Sequence, residues 1–207
     1  MAKVISPLFS FGASGQLAKS IVFFPWKGLN VVRQWVCPAN PKSSAQVTHR
    51  GYLTAAVQAI HDAMVEAVEP LNVLDKAAYA TWASLSATPR TWFNEACRQW
   101  IDQSVLGKTP AMYRGGTVVP TTTQLVFTVF SDAIDTAMIT AGTFFYGTTK
   151  TTLLESQAAV VTVLDHEAVG TLTGLTNGTR YWAQFRPSAD PDWVGSDGPI
   201  YSGVPAA

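Results

Sequence analysis

The spacing of apolar residues changes once along this chain, and the place where it changes constrains what the chain can build. Between Ser44 and Gly107 the apolar side chains recur at helical steps, whereas from Pro120 onward they fall in short runs separated by turn residues. Helices and strands bury their apolar faces on different repeats, so the two stretches must form different layers. The reading is an α+β protein: a β-hairpin plus helices over residues 1–116, then an antiparallel β-sandwich over residues 117–207. A hydrophobic fraction of 47% with only 14% charged residues supplies apolar material for cores and is far from the composition of a disordered chain.

Three helices are expected in the first part. From about Ser44 to Val68, residues Val47, Tyr52, Leu53, Ala56, Val57, Ile60, Met64 and Val68 line one helical face, which Gly51 weakens slightly. Asp75 suits the N-cap of a second helix running through Tyr79, Trp82 and Leu85. Thr88 as N-cap and Pro89 at the first helical position open a third, which passes Trp92, Phe93, Cys97 and Trp100 and stops at Gly107. Trp82, Trp92 and Trp100 read as core or interface anchors in preference to stacking platforms for bases or sugars.

Ahead of these helices, residues 17 to 36 form two β-rich runs around a Lys27-Gly28 turn, which predicts a hairpin. Pro25 has no N–H to donate, so it places the first run on an edge or ends it early. Two strands alone are marginal in water, and these carry Ile21, Phe23, Phe24, Trp26, Val31 and Trp35, so they must pack on the helices or on another subunit. The segment CPANPKSSAQ then holds the chain extended as a connector.

Residues 107 to 120, with Gly115-Gly116 and Pro120, read as a linker. Strand-like runs follow at 124–131, 137–148, 159–164, 168–174, 179–187 and 199–204, and short strands with turn signals between them mean a sandwich or barrel.

The formal net charge of zero conceals a gradient: residues 1 to 61 carry +6, residues 62 to 116 carry −1 and residues 117 to 207 carry −5. Such polarity can orient subunits head to tail or present a basic face to an acidic partner. The basic side chains, among them Lys19, Lys27, Arg33, Lys42 and Arg50, are spread without a cluster, which argues against nucleic-acid binding. Cys37 and Cys97 have no metal-type spacing and read as buried small hydrophobes rather than a disulfide. No apolar run approaches the ~20 residues that cross a bilayer, and the opening residues, interrupted by Pro7 and Gly12, make a poor export signal.

Catalytic constellations are not expected. GASGQLAKS at 12–20 has Ala18 where a phosphate-binding loop needs glycine, and His49, His61 and His166 are too scattered for a metal. No nucleophile elbow occurs, and the carboxylates Asp190, Asp192 and Asp197 lie in a turn-rich stretch whose weaker alternative is a cation loop. Asn177-Gly178-Thr179 is formally a glycosylation sequon, but it coincides with a turn that the sandwich needs. The sequence therefore gives no catalytic residue, cofactor or metal site, and an enzyme is the least favoured class.

Two resemblances extend this reading. LTGLTNGTRYWAQFRPS, with Leu175, Gly178, Thr179 and Tyr181, resembles the corner between strands E and F of fibronectin type III domains. There a tyrosine hydroxyl bonds back to the backbone and clamps the crossing between sheets, and GTFFYGT is the candidate strand C. The resemblance covers about residues 118 to 205, lacks the tryptophan of the family's strand B, and implies an immunoglobulin-like, fibronectin type III-like sandwich.

The order Ser14-Gly15, apolar strand, Trp26-Lys27-Gly28, Val31-Val32-Arg33, Pro38, Asn40-Pro41, Gln46 and Arg50 looks like the opening of small virion proteins of tailed bacteriophages. It covers about residues 8 to 105 and implies a structural component located in the virion, with head decoration favoured over a tail or neck (connector) protein. Its partners would be capsid, neck or tail proteins and further copies of itself, with no membrane involved. The candidate assembly interface is Phe23, Phe24, Trp26, Arg33, Trp35, Asn40, Gln46 and Arg50. A carbohydrate-binding adhesion module, with Trp182 or Trp193 as sugar platform, is the alternative for the C-terminal part.

Overall fold

Lys27 and Gly28 both adopt positive φ, 50° and 76°, the combination that lets a two-residue turn follow the right-handed twist of its flanking strands. The computed structural model describes residues 2–3, 14–37, 40, 42–136, 138–188 and 197–206. The chain divides into two compact units, Met1–Ser43 and Ser44–Ala207.

The first unit is one antiparallel sheet. Strands β1 (Ala2–Lys3), β2 (Gly15–Leu17), β3 (Ile21–Trp26) and β4 (Leu29–Gln34) lie in the order β1-β4-β3-β2. The predicted hairpin is β3 and β4, with Trp26 opposite Leu29 and Ile21 opposite Gln34. The segment tested as a phosphate loop instead supplies β2 and a tight turn, in which Ala18 and Lys19 take positive φ and Ser20 N–H donates to Leu17 O at 2.9 Å. Since β2 reaches only to Phe23, Pro25 stands where that side of β3 has no partner strand among the described residues.

The second unit joins three helices to two four-stranded antiparallel sheets. The helices are α1 (Ser44–Val65), α2 (Val73–Ala83) and α3 (Trp92–Val105). Strands β5 (Arg114–Thr121), β6 (Gln124–Phe130), β9 (Val160–Thr162) and β10 (Glu167–Leu172) form a sheet in the order β5-β6-β10-β9. Strands β7 (Gly142–Gly147), β8 (Glu155–Ala158), β11 (Tyr181–Pro187) and β12 (Ile200–Gly203) form the other, ordered β12-β11-β7-β8.

Two helix starts lie elsewhere than the sequence suggested. Asn72, not Asp75, caps α2: its side chain accepts from Asp75 N–H at 3.0 Å, while the Asp75 carboxylate accepts from Asn72 N–H at 2.8 Å. A side chain that reads as a cap is thus the reciprocal member of a capping box. The cap of α3 is Thr91, not Thr88: its backbone is extended and its side chain accepts from Asn94 N–H at 3.3 Å, while Arg90 just outside the helix bonds the buried Glu95 at 3.2 Å. Glu95 also accepts from Arg98 and Gln99, which leaves the carboxylate well partnered.

The helices share a core of Ala56, Ile60, Ala63, Leu71, Tyr79, Ala96 and Cys97, with Trp82, Trp92 and Trp100 packed against it. Both sheets of the second unit share another. Leu125, Phe127 and Val129 alternate inward along β6 and meet Phe144, Leu172, Phe185 and Tyr201. Ala78 and Leu74 of α2 belong to that same core, so the helix is one of its walls. Cys97 is buried as expected, but Cys37 is exposed, lying just beyond the end of β4, and the two are not bonded to each other.

The second half of the stretch 107–120, read as linker, belongs instead to β5 (Arg114–Thr121), and the change of periodicity marks a packed junction. Arg114 pairs with Asp132 and donates to the carbonyls of Val68 at 2.9 Å and Glu69 at 3.1 Å, fastening the chain that leaves α1. A register shift follows between Arg114 and Thr117, with Gly115 at φ 60°. Gly116 then runs against α2: its N–H donates to Asp75 at 2.9 Å, and its carbonyl accepts from the Asn72 side chain at 3.0 Å. The division into compact units accordingly falls after Ser43 and not after residue 116.

Candidate functional site

The N-terminal sheet positions the first group of candidate residues. Cross-strand partners share a face, so Phe24 with Val31 and Trp26 with Leu29 lie on one side, while Phe23 with Val32 and Ile21 with Gln34 lie on the other. Each face of this small sheet is therefore apolar. Val31 is buried and Phe23 and Phe24 are partly covered, but Trp26 remains 55% exposed and Leu17 50%. Arg33 sets its guanidinium 5.4 Å from the centre of the Phe24 ring, so a cation rides beside the exposed aromatic surface.

Of the eight residues proposed for assembly, the structure gathers Phe23, Phe24, Trp26 and Arg33 on this sheet. Trp35 stands at its end, half-buried, with its N–H donating to Ser20 O at 2.8 Å. Asn40 is exposed in the chain before α1, and Pro38 and Pro41 of the extended connector lie outside the described residues. Gln46 and Arg50 occupy the first two turns of α1, in the other compact unit, and both are exposed.

The tyrosine-corner residues come together where the chain passes from β10 in one sheet to β11 in the other. Tyr181 Oη accepts from Thr176 N–H at 3.1 Å, Leu175 is buried, and Gly178 takes φ 75°. Asn177 of the formal sequon turns its Oδ1 to accept from Thr123 N–H at 3.0 Å, so its side chain braces the turn.

Sequence reasoning missed the polar network at the helix–sheet junction. Asp75 is fully buried and accepts from Tyr201 Oη at 2.7 Å in addition to the N–H groups of Gly116 and Asn72. Burial raises the Asp75 carboxyl above its ordinary range, and these hydrogen bonds pull the other way. Tyr201 is raised well above its usual value, first by burial and then by the charge of Asp75. Nearby, Tyr79 Oη receives Tyr113 N–H at 3.2 Å, and burial raises that hydroxyl as well. The signal was legible as Asn72 three residues before Asp75, but the partner across 41 residues was not.

Two of the concavities on the second unit lie against its C-terminal sheets. One, of about 690 Å³, lies at the end of the sheets beside the tyrosine corner and is lined by Tyr146, Tyr181, Glu155 and several threonines. The other, of about 530 Å³, runs between α2 and the outer face of β11 and β12, with Trp182 on its floor. Asp197 faces Arg186 at 3.7 Å, whereas Asp190, Asp192 and Trp193 lie outside the described residues. Among the described residues no three His, Cys, Asp or Glu side chains gather as a metal site, and no helix is long and apolar enough to cross a membrane. His166 bonds the Ile134 carbonyl at 2.7 Å, and His61 faces the Phe93 ring.

No protein-family model matches the chain, and no curated protein matches it in sequence.

Proposed function

We propose that the protein is a structural component of a tailed-bacteriophage particle, a head decoration protein that assembles through its N-terminal sheet and displays a fibronectin type III-like sandwich. The observation that carries this reading is the sheet of residues 15–34, which is apolar on each face and leaves Trp26 55% exposed. A sheet this small cannot shield two faces by itself, and burial of apolar surface contributes about 25 cal/mol per Å² to association. The occupant is a further copy of the chain or a capsid protein, and a tail or neck station would use the same surface.

The strand orders favour the immunoglobulin-like part of the proposal. They correspond to A-B-E-D facing G-F-C with an added C′, and the tyrosine hydroxyl bond falls at the E–F crossing. Carbohydrate binding by this part is the second reading, favoured by Trp182 standing half-buried in a groove that Thr81, Ser84 and Ser202 also line.

Light scattering coupled to size exclusion tests assembly on the full chain. The expected result is an oligomer, or co-sedimentation with phage particles, that Trp26→Lys and Phe24→Ser each weaken while the circular dichroism spectrum holds. A chain that stays monomeric at high concentration and never travels with particles refutes the proposal.

A further inference from the structure

From the groove beside α2 we infer a binding site for acidic saccharides, in which a sugar ring stacks on Trp182 and its carboxylate or sulfate is held between Lys150 and Arg180. The inference rests on the carbohydrate-binding reading and is independent of assembly.

The floor comes from strand register. Trp182 points outward from β11, and its cross-strand neighbours are Gly147 on β7 and Ser202 on β12, neither with a side chain large enough to cover an indole. On the helical wall Ala80, Thr81 and Ser84 are also small, which leaves space above the ring. An aromatic face bordered by hydroxyls is the chemistry that receives a pyranose: C–H groups lie on the ring while O–H groups meet polar neighbours.

The choice of an acidic sugar comes from charge. Residues 117–207 carry three basic side chains against eight acidic ones, yet Lys150 and Arg180 both line this groove and no carboxylate does. The third, Arg186, is engaged elsewhere, stacked 4.5 Å from the Phe145 ring and facing Asp197. Among the described residues Lys150 and Arg180 are held only by neutral hydroxyls, Lys150 Nζ donating to Ser84 at 2.8 Å and Arg180 Nη1 to Ser202 at 3.3 Å. Each cation keeps donors to spare, and a guanidinium presents them in the geometry a carboxylate accepts. Nucleic acid fits less well, because its affinity is built from a run of phosphate contacts and two cations provide only a pair.

The test is the full chain on a glycan array that prints uronate, sialate and sulfated glycans beside their neutral counterparts, with single-stranded DNA as a further arm. Binding is expected on acidic glycans only, to fall at least tenfold in Lys150→Gln/Arg180→Gln, and to vanish in Trp182→Ala. The double variant changes exposed side chains and should keep the parent oligomeric state and circular dichroism, so its loss reads the site and not the fold. Retention of no glycan overturns this inference and the carbohydrate reading together. Equal retention of neutral and acidic glycans, undiminished binding by the double variant, or preference for DNA overturns the inference.

Discussion

At the scale of single residues, two glycines of the second unit make opposite demands. A Cβ on Gly116 would sit 2.5 Å from the Asp75 carboxylate and 2.5 Å from the Tyr201 ring, whereas one on Gly51 in α1 meets nothing within 4 Å. Gly116→Ala is therefore expected to lose about 2–3 kcal/mol through overpacking. Gly51→Ala should gain up to about 1 kcal/mol from helix propensity. Urea denaturation of the two variants beside the parent checks both signs. Asp75 adds a pH dependence. Its carboxyl is raised on folding, so the native state holds the proton more tightly than the unfolded chain. The stability this contributes is complete below the ordinary value of 3.8 and is lost as pH rises through the raised one. Asp75→Asn cannot titrate, so the parent's stability relative to that variant should shrink as pH is raised above about 4, measured as unfolding free energy at a series of pH values. A gap that widens with pH would refute this account of Asp75.

At the scale of elements, the corner between β10 and β11 depends on one hydroxyl. Tyr181→Phe removes the acceptor of Thr176 N–H and is expected to cost about 0.5–1.5 kcal/mol, because that amide can turn to water. A thermal melt of this variant should show a lower midpoint with native sheet content. The elements legible in the sequence were those whose pattern is local. Strand β6 alternates buried and half-buried residues along its length, and the Lys27-Gly28 turn announces its hairpin. Strand β8 was missed because Glu155–Ala158 is exposed throughout and carries no apolar alternation. Strand β5 was hidden by Gly115, Gly116 and Pro120, residues that mark a turn in most settings, although Gly116 here permits close approach to Asp75 of α2. The groove at Trp182 was half legible: the indole could be named from sequence, but Lys150 and Ser84 reach it from distant parts of the chain.

At the scale of the molecule, α2 closes a core that it appears from sequence to precede. Leu74 and Ala78 pack with the side chains of both sheets, and Tyr113 and Tyr201 are sealed beneath the junction. A fragment of residues 44–207 should unfold in one cooperative transition, whereas residues 117–207 alone should lose most of their stability and bind a hydrophobic dye. Circular dichroism melts of the two fragments decide the matter, and equal midpoints would refute it. The two C-terminal sheets are accordingly no detachable cassette. A recombination event that cut at the change of periodicity would carry off strands with an open side and leave behind a helix whose Asp75 had lost the Tyr201 hydroxyl. Lineages that traded these strands would have to trade α2 in the same step.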